Sequence, residues 1–398
     1  MSKAGIADID VSGKRVLLRE DFNVPMRDHE IVDDRRIRAA LPTIEELRSR
    51  GARVIVVTHL GRPKGKRDEA LSVAPLAARL GQILDAPVHL APDVVGGGAH
   101  SMVESLHDGD VGMLENVRFE PGEEENDPAF ARRLAALGDV YVNDAFGTAH
   151  RAHASTEGVA HILPAVAGTL MQRELEVLTG VLNHPRRPLV AIVGGAKIST
   201  KMGVLTSLLE RVDALWVGGA MASTFYRALG ANTGRSLVEE EQVDTARRLL
   251  RDAETKAATL KLPPDVVVAT TATQGASTRV VAWTEIPDGM TVVDVGPQTV
   301  AGIGRDTAGA GTVMWNGPLG IYEIDTFAAG TRAVAQALSR SHAYSVIGGG
   351  DLAAAVEDAS VADKIGYIST GGGATLEFLE GKTLPGVAAL REREAAHR

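Results

Sequence analysis

Short apolar runs rich in β-branched residues alternate with helix-like segments along most of this sequence, and this alternation restricts the possible folds more than any other feature. The runs include "KRVLLRED", "ARVIVVTHL", "DVGMLENV" and "DVYVNDAF" in the first half, and "PLVAIVGG", "ALWVGGAM", "DVVVATT", "TVVDVGP", "GTVMWNGP" and "YSVIGGGD" in the second. Continuously apolar strands that alternate with helices are typical of parallel sheets covered on both faces. The sequence therefore predicts an α/β protein with parallel sheets.

A long helical segment separates the two sets of strands. In "GTLMQRELEVLTGVLNHPRRP" the apolar residues at 171, 175, 178 and 182 line one helical face, and the prolines at 185 and 188 end it. A chain of 398 residues is also long enough for two domains. We predict an N-terminal domain over residues 1–168, a linker helix over 169–187 and a C-terminal domain over 188–380.

The charge balance excludes some classes of partner. The formal net charge is −9, which argues against general binding to nucleic acid or to an anionic membrane. Absence of cysteine excludes disulfides and thiolate chemistry. The start, "MSKAGIADIDVSGKR", has no signal-peptide apolar core, and no run approaches the roughly 18 apolar residues of a membrane span. We expect a cytoplasmic protein, and any cationic site in it must be local.

Strand ends in the first half carry charged side chains. The carboxyl ends of parallel strands share one edge, where ligands bind. A single arginine is more often a solvated surface charge, but cations at four strand ends favour a site for an oxyanion, because guanidinium groups pair well with phosphate and carboxylate. Arg36, early in the first helical segment, could join them. The strand-end residues are Arg19, Asp21, His59, Arg62, Arg118, His150 and Arg151.

Strand ends in the second half carry glycines instead. Glycine lets backbone N–H groups approach a ligand, and a following helix N-terminus adds partial positive charge, which suits nucleotide phosphates. Lys197 and Lys201 are four residues apart on what reads as the opening turn of a helix, so both could reach one phosphate chain. Asp351 could hold Mg²⁺ or could instead be a helix N-cap. Together the two halves predict phosphoryl transfer, which depends on positioning and charge neutralisation.

The sequence resembles the phosphoglycerate kinase family along nearly its whole length. The resemblance rests on "DFNVP", "HLGRP", "LENVRF", "NDAFGTAHRAHAST", "VAIVGGAKIS", "MWNGPLGIYE", "GGGDLAAA" and "STGGGATLEFLEGKTLPGV", in that order. It implies reversible transfer of the acyl phosphate of 1,3-bisphosphoglycerate to Mg-ADP, giving 3-phosphoglycerate and ATP. It also implies a monomer of two Rossmann-like three-layer domains that close about a hinge helix, with a tail over residues 381–398 returning to the N-terminal domain.

The resemblance also implies a role for particular residues. Arg36, Lys197 and Lys201 would be catalytic, Glu323 would take the ribose hydroxyls, and Asp351 would serve Mg²⁺. The implied phosphoglycerate-binding residues are Asp21, Phe22, Asn23, Arg36, His59, Leu60, Gly61, Arg62, Arg118, His150 and Arg151. The implied nucleotide-binding residues are Gly195, Ala196, Lys197, Lys201, Gly219, Asn316, Pro318, Glu323, Gly349, Gly350, Asp351 and Leu352.

The sequence departs from the family pattern at four places, one of which is the stretch "VVVATTATQ", where the family has an acidic residue. Glu20 replaces a small apolar residue and Thr200 replaces an aspartate; we expect both to point away from the chemistry. Leu352 replaces a hydroxyl-bearing residue that would lie beside the nucleotide phosphates, so its loss could limit turnover. Two other functions stay open. A non-catalytic nucleotide-binding relative has only Leu352 in its favour, and a dehydrogenase using "GGGDLA" lacks the ribose-binding acid of dinucleotide folds.

Overall fold

The computed structural model describes residues 3–393, and the chain in it divides into two compact units. The first unit runs to Glu176 and resumes at Thr383, and the second is Val177–Lys382. The division falls inside the helical segment that separates the two sets of predicted strands. The predicted boundaries at 168, 188 and 380 stay predictions, and residues 1–2 and 394–398 of the predicted end segments lie outside the described residues.

The first unit is built on a parallel sheet. The strands Arg15–Arg19 and Arg53–Val57 are buried along nearly their whole length, as their continuous apolar runs predict. The strands are β1 (Arg15–Arg19), β2 (Met26–Arg27), β3 (Glu30–Ile31), β4 (Arg53–Val57), β5 (Val88–Leu90), β6 (Val111–Met113), β7 (Val140–Asn143) and β8 (Ala165–Ala167). Six of them form a parallel sheet in the order β5-β6-β4-β1-β7-β8, while β2 and β3 pair separately as an antiparallel hairpin.

Helices of the first unit pack on this sheet through apolar faces. One core cluster joins Leu18 of β1 and Val56 of β4 to Ile37 and Leu76. These residues bring the first two helices onto the two central strands, which fixes the carboxyl ends of those strands. The helices are α1 (Arg35–Ser49), α2 (Ala74–Leu84), α3 (Gly97–Ser105), α4 (Pro128–Ala135) and α5 (Thr169–Asn183), the last of which crosses the division between the units.

The second unit contains a similar parallel sheet. Its strands are β9 (Leu189–Val193), β10 (Ala214–Val217), β11 (Thr259–Lys261), β12 (Asp265–Ala269), β13 (Thr278–Ala282), β14 (Thr291–Val295), β15 (Thr312–Asn316), β16 (Tyr344–Gly348) and β17 (Tyr367–Ser369). Six of them are parallel in the order β11-β10-β9-β15-β16-β17. The prediction of an α/β fold with parallel sheets flanked by helices is therefore confirmed.

Two strands that the sequence pattern places in the parallel sheet lie elsewhere. β12 ("DVVVA") and β14 ("TVVDV") flank one another in a separate antiparallel sheet of order β13-β12-β14. Their buried faces pack with Tyr226 and Ile286 in a small cluster of their own. An apolar run shows that a strand is buried, but it does not show in which sheet the strand pairs.

Helices of the second unit follow most of its strands. They are α6 (Met202–Leu209), α7 (Ala222–Ala228), α8 (Val243–Glu254), α9 (Pro297–Ala308), α10 (Ala329–Leu338), α11 (Gly350–Asp358) and α12 (Gly373–Leu379). The last helix, α13 (Pro385–Ala388), belongs to the first unit, where the N–H of Gly386 donates to the carbonyl of Ala149 at 2.9 Å. Among residues 3–393, no helix combines the length and the apolar character needed to cross a membrane.

Candidate active site

The strand order of the first unit reverses beside β1. On one side of β1 lie β4, β6 and β5, in that order towards the sheet edge, and on the other side lie β7 and β8. Ligands bind at the carboxyl ends of strands where the order reverses. The predicted residues Asp21, His59 and His150 follow β1, β4 and β7. We refer to Asp21, Asn23, Arg36, His59, Arg62, Arg118, His150 and Arg151 as the cationic half-site.

Arg36 is held by the loop that follows β1. Its Nη1 donates to Asp21 Oδ2 at 2.9 Å and to the carbonyl of Asn23 at 3.2 Å. Among the described residues, both hydrogen bonds of this guanidinium use Nη1. About a third of the Arg36 side chain is exposed, at 32%. Nε and Nη2 of a partly exposed, positioned arginine are therefore available to an anion.

The turn after β4 joins two more members of the cationic half-site. The N–H of Gly61 donates to Asn23 Oδ1 at 2.9 Å, and its carbonyl accepts from Arg118 Nη1 at 2.7 Å. Gly61 has φ +63°, and a Cβ there would lie 2.7 Å from Leu71. The positive φ favours glycine at this position, and a Cβ would also require the Leu71 side chain to shift. The turn links the loops after β1 and β4 to Arg118.

His59 is neutral at this site. It is 3% exposed, and its Nδ1 lies 3.2 Å from Arg19 Nη2, so Nδ1 acts as an acceptor. Burial, followed by the charges of Arg19, Arg118 and Arg36, holds the pKa of His59 well below its ordinary value. Burial, followed by the charges of Arg118, Arg19 and Arg151, lowers the pKa of His153 to about 4. Burial is thus the main cause of both shifts, and neighbouring cations add to it.

Arg19 is one of the charged strand ends found in the sequence, but neither it nor His153 is among the residues that the family resemblance assigns to the site. Arg19 is fully buried and its Nε donates to Ser155 Oγ at 2.8 Å. A charged residue at the end of an otherwise apolar strand was the available signal for Arg19. His153 lies three residues after His150, and its Nδ1 is 3.8 Å from Glu123 Oε1.

The other predicted residues of the cationic half-site differ in exposure. Arg62 is exposed, while His150 and Arg151 are partly buried. Arg151 lies close enough to Arg118 to contribute to the lowered pKa of that guanidinium, of which burial is the main cause. Phe22 and Leu60 are buried and support the loops through apolar packing and backbone hydrogen bonds.

The glycine turns of the second unit pack against one another. Its strand order reverses at β9, with β10 on one side and β15 on the other. A Cβ on Gly219 would lie 2.4 Å from the carbonyl oxygen of Gly195, and one on Gly194 would lie 2.1 Å from the carbonyl oxygen of Pro318. The turns after β9, β10 and β15 can approach this closely only because they carry glycine. We refer to this region, with Lys197, Lys201, Asn316, Glu323 and residues 349–352, as the glycine half-site.

Of the two lysines in the glycine half-site, Lys201 is more buried than Lys197. Its Nζ donates to Asn316 Oδ1, and Asn316 Nδ2 in turn donates to the carbonyl of Gly348 at 3.0 Å. Burial lowers the pKa of Lys201 to about 8, and the charge of Glu380 opposes that shift. The ends of β15 and β16 are thereby joined to one lysine whose charge is poorly solvated.

Lys197 and Lys201 do not lie on the opening turn of a helix, and that prediction is wrong. α6 begins at Met202, with Lys201 as its N-cap and Lys197 in the preceding turn. The hydroxyl of Thr200 donates to the carbonyl of Lys197 at 3.0 Å. Such side chain to backbone bonds favour turns over helix. Lys197 is exposed, as is Ala196.

The segment over residues 349–352 begins α11. Gly349 is the N-cap, with φ +106°, and Asp351 is exposed in the first turn. The alternative interpretation of Asp351 as the N-cap is therefore wrong. Leu352 is fully buried in the core cluster with Trp315 and Val356. The side chain of Leu352 therefore packs into the core, while its backbone lies in the first turn of α11, and its place beside the nucleotide phosphates stays a prediction.

The remaining members of the glycine half-site lie in the loop after β15. Pro318 is partly buried and Glu323 is exposed. Among residues 3–393, no group of three or more histidine, aspartate or glutamate side chains is arranged to hold a metal ion. Two exposed carboxylates, Asp351 in the first turn of α11 and Glu323 in the loop after β15, belong to the described part of this half-site.

Comparisons with known proteins agree with this geometry. A sequence profile described as phosphoglycerate kinase matches residues 6–382. The chain belongs to the phosphoglycerate kinase family. The chain is 53% identical over 393 residues to the phosphoglycerate kinase of Pelotomaculum thermopropionicum, covering 99% of this chain and 100% of the relative. It is 52% identical over 400 residues to that of Chloroflexus aurantiacus, with 99% and 100% covered.

Solved structures give the same result. Phosphoglycerate kinase from Coxiella burnetii matches with a TM-score of 0.86 and 43% identity over 97% of this chain and 98% of that one. The enzyme from Pyrococcus horikoshii matches with a TM-score of 0.87 and 32% identity over 98% of both. The chain is thus a phosphotransferase of glycolysis that moves a phosphoryl group reversibly between 1,3-bisphosphoglycerate and ADP.

Proposed function

We propose that the two half-sites divide the substrates between the two units. The cationic half-site would bind 3-phosphoglycerate or 1,3-bisphosphoglycerate, whose phosphate and carboxyl groups suit a cluster of arginines. The glycine half-site would bind ADP or ATP through backbone N–H groups and the N-terminus of α11. The cations around His59 support the first assignment, because the charges of Arg19, Arg118 and Arg36 add to burial in lowering the pKa of that histidine.

The transferred group requires no protein nucleophile. A terminal β-phosphate oxygen of ADP forms a bond to the phosphorus of the acyl phosphate, the bond from that phosphorus to the carboxyl oxygen breaks, and 3-phosphoglycerate leaves as a carboxylate. Arg36 and Lys197 would stabilise the charge on the transferring group, and Lys201 would bind the nucleotide phosphates. The positioned guanidinium of Arg36, held at 2.9 Å by Asp21, is the observation that carries this assignment.

Mg²⁺ fits the residues at the N-terminus of α11. Magnesium is usually held by one or two carboxylates together with substrate phosphates and water, rather than by a protein cage. Asp351 supplies one exposed carboxylate in the first turn, beside the backbone of Gly349 and Gly350. When bound with the nucleotide, Mg²⁺ would neutralise phosphate charge, while Asp351 would orient the metal and the α11 N-terminus would hold the phosphate oxygens.

Membership of the family also suggests a cellular location, an oligomeric state and a movement of the two units. We propose that the protein acts in the cytoplasm as a monomer whose substrates are the small molecules named above, and that the units close about α5 during turnover. Closure would exclude water, which otherwise competes as phosphoryl acceptor.

The proposed role of Arg36 is tested by steady-state kinetics. Arg36→Ala should reduce kcat by roughly 10³–10⁵-fold, as for other arginines that stabilise a phosphoryl transition state, with a smaller change in KM. Arg38→Ala is a matched control, because Arg38 lies two residues further along α1 and pairs with Asp34 at 3.0 Å. The control should keep kcat within about twofold. An unchanged kcat in Arg36→Ala with only a raised KM would refute the assignment.

A further inference from the structure

Two acidic side chains meet behind the cationic half-site. Glu20 follows β1 and is 1% exposed, and Asp144 follows β7 and is fully buried. The N–H of Asp144 donates to the carbonyl of Arg19 at 2.9 Å, which places the two strand ends side by side. Their carboxyl groups are in hydrogen-bond contact. Two buried carboxylates in contact would repel strongly if both were ionised.

Each carboxyl group has one oxygen that no other donor satisfies. Among the described residues, Glu20 Oε1 and Asp144 Oδ2 have no hydrogen-bond donor. The other oxygen of Asp144, Oδ1, accepts from the N–H of Met171 at 2.9 Å. Ionised carboxylates are acceptors only, so two of them cannot satisfy each other. A proton on one carboxyl group satisfies both.

We infer that Glu20 is a neutral carboxylic acid whose O–H donates to the Asp144 carboxylate, and that Glu20 thereby acts as a positioning residue for the start of α5. The position of the proton follows from the surroundings of each group. Asp144 faces N–H donors of the first turn of α5 and the hydroxyl of Thr43, which favour its ionised form. Glu20 faces Asp144 and Asp21, with Arg19 as the neighbouring cation.

The directions of the pKa shifts agree with this placement. Burial, and then the charge of Asp144, raise the pKa of Glu20 well above its ordinary value. Burial also raises the pKa of Asp144, but hydrogen bonds from Thr43, from the backbone of α5 and from Glu20 oppose that rise. The more basic group of the pair is Glu20, and it therefore keeps the proton.

The hydrogen bond between Glu20 and Asp144 connects secondary-structure elements that carry site residues. A Cβ on Gly168 would lie 2.2 Å from Asp144 Oδ1, so glycine there lets Asp144 reach the first turn of α5. The N–H of Thr169 donates to Thr43 Oγ1 on α1 at 2.9 Å, and the Thr169 hydroxyl donates to Glu46 at 3.2 Å. Through Asp144, Glu20 joins the strand end that carries Asp21 to the start of α5, and α5 is bonded to the helix that carries Arg36.

Infrared spectroscopy tests for the proton directly. At pH 7 the intact protein, labelled with ¹³C-glutamate, should show a protonated carboxyl C=O band that shifts with the label, which assigns the band to glutamic acid. Glu20→Gln should remove this band. Glu123→Gln is the matched control, because Glu123 is equally buried but accepts from the N–H of Ser155 at 2.9 Å and from its hydroxyl at 2.6 Å. Absence of a labelled band, or its loss in the control instead, would overturn the inference.

The pH dependence of stability provides a second test. Acids whose pKa is raised by folding stabilise the folded state at low pH, and this contribution is lost as pH rises through the folded value. Glu20→Gln keeps a hydrogen-bond donor but cannot ionise. From pH 5 to pH 9 the unfolding equilibrium constant of the parent, relative to that of Glu20→Gln, should rise at least about tenfold. A ratio that does not change with pH would contradict the shared proton, whereas the proposed substrate assignments would be unaffected.

Discussion

At the scale of single residues, the lowered pKa of Lys201 predicts that binding of ADP at the proposed nucleotide site depends on pH. Burial lowers the pKa of Lys201 to about 8, so much of this group is neutral above that pH in the free protein. Bound phosphates would favour the charged form and raise the pKa again. Calorimetry in buffers of different ionisation enthalpy should show uptake of about half a proton when ADP binds at pH 8.

Affinity for ADP should accordingly weaken as pH rises above about 8, by at most about tenfold per unit. Lys201→Arg should remove both the proton uptake and this pH dependence, because a guanidinium does not titrate there. Lys197→Arg, at the exposed lysine four residues earlier, should leave the uptake unchanged. Proton uptake that persists in Lys201→Arg would assign the titration to another group.

The side chain at position 352 gives a second prediction at this scale. Leu352→Thr would place a hydroxyl in the core cluster of Trp315 and Val356 and would remove apolar volume. We expect the free energy of unfolding to fall by about 1–3 kcal/mol, with no gain in kcat. Denaturant unfolding and steady-state kinetics measure the two quantities. Leu352→Met, which conserves volume, should cost less than about 1.5 kcal/mol. A severalfold rise in kcat for the threonine variant would show that a hydroxyl there reaches the nucleotide.

At the scale of elements, the glycine turns can be tested against an isolated glycine. Gly219 has φ +72° and its missing Cβ would lie 2.4 Å from Gly195, whereas Gly230 has φ +84° and open space around it. Gly230→Ala should cost about 1–2 kcal/mol of stability, from backbone conformation alone. Gly219→Ala should cost more and should raise the Kd for ADP at least about tenfold, because the turns after β9 and β10 must separate. Equal effects of the two substitutions on ADP binding would exclude close packing as the reason for Gly219.

Elements also show what the sequence could predict. Four strands are buried on both faces and are therefore continuous apolar runs in the sequence: β1, β4, β9 and β15. Such a run identifies the strand without information from the rest of the chain. The apolar runs of β12 and β14 do not show that these strands pair antiparallel in a sheet with β13 rather than in the parallel sheet. The predicted start of α6 is wrong for a local reason. The hydroxyl of Thr200 donates a hydrogen bond to the carbonyl of Lys197, and the helix begins at Met202.

Candidate site residues stand out in the sequence where residue type and position agree. An arginine or histidine at the end of an apolar strand, such as His59 after β4, is conspicuous in sequence. Leu352 was not predictable in the same way, because the direction of its side chain depends on how α11 packs on Trp315. The sequence also does not show that Glu20 and Asp144 lie next to each other. They follow β1 and β7, and it is the order of strands in the sheet that places these two strands side by side.

At the scale of the whole molecule, the proposal predicts that the two substrates bind separably. Each unit has its own sheet, its own core cluster and one half-site, so a substitution in one half-site should affect one ligand. Arg118→Ala removes the guanidinium that donates to Gly61 at 2.7 Å in the first unit. In the full chain it should weaken 3-phosphoglycerate binding by roughly 10–100-fold and leave ADP binding within about twofold.

Lys201→Ala should show the reverse pattern, with ADP binding weakened and 3-phosphoglycerate binding retained. Titration calorimetry with each ligand alone gives the four affinities. Because Arg118 is 5% exposed and its loss could disturb the fold, Arg62→Ala, at an exposed position of the same half-site, provides a second variant with the same expected selectivity. If a folded variant of either half-site loses both ligands equally, the assignment of one substrate to each unit is wrong, even though the family and its reaction would stand.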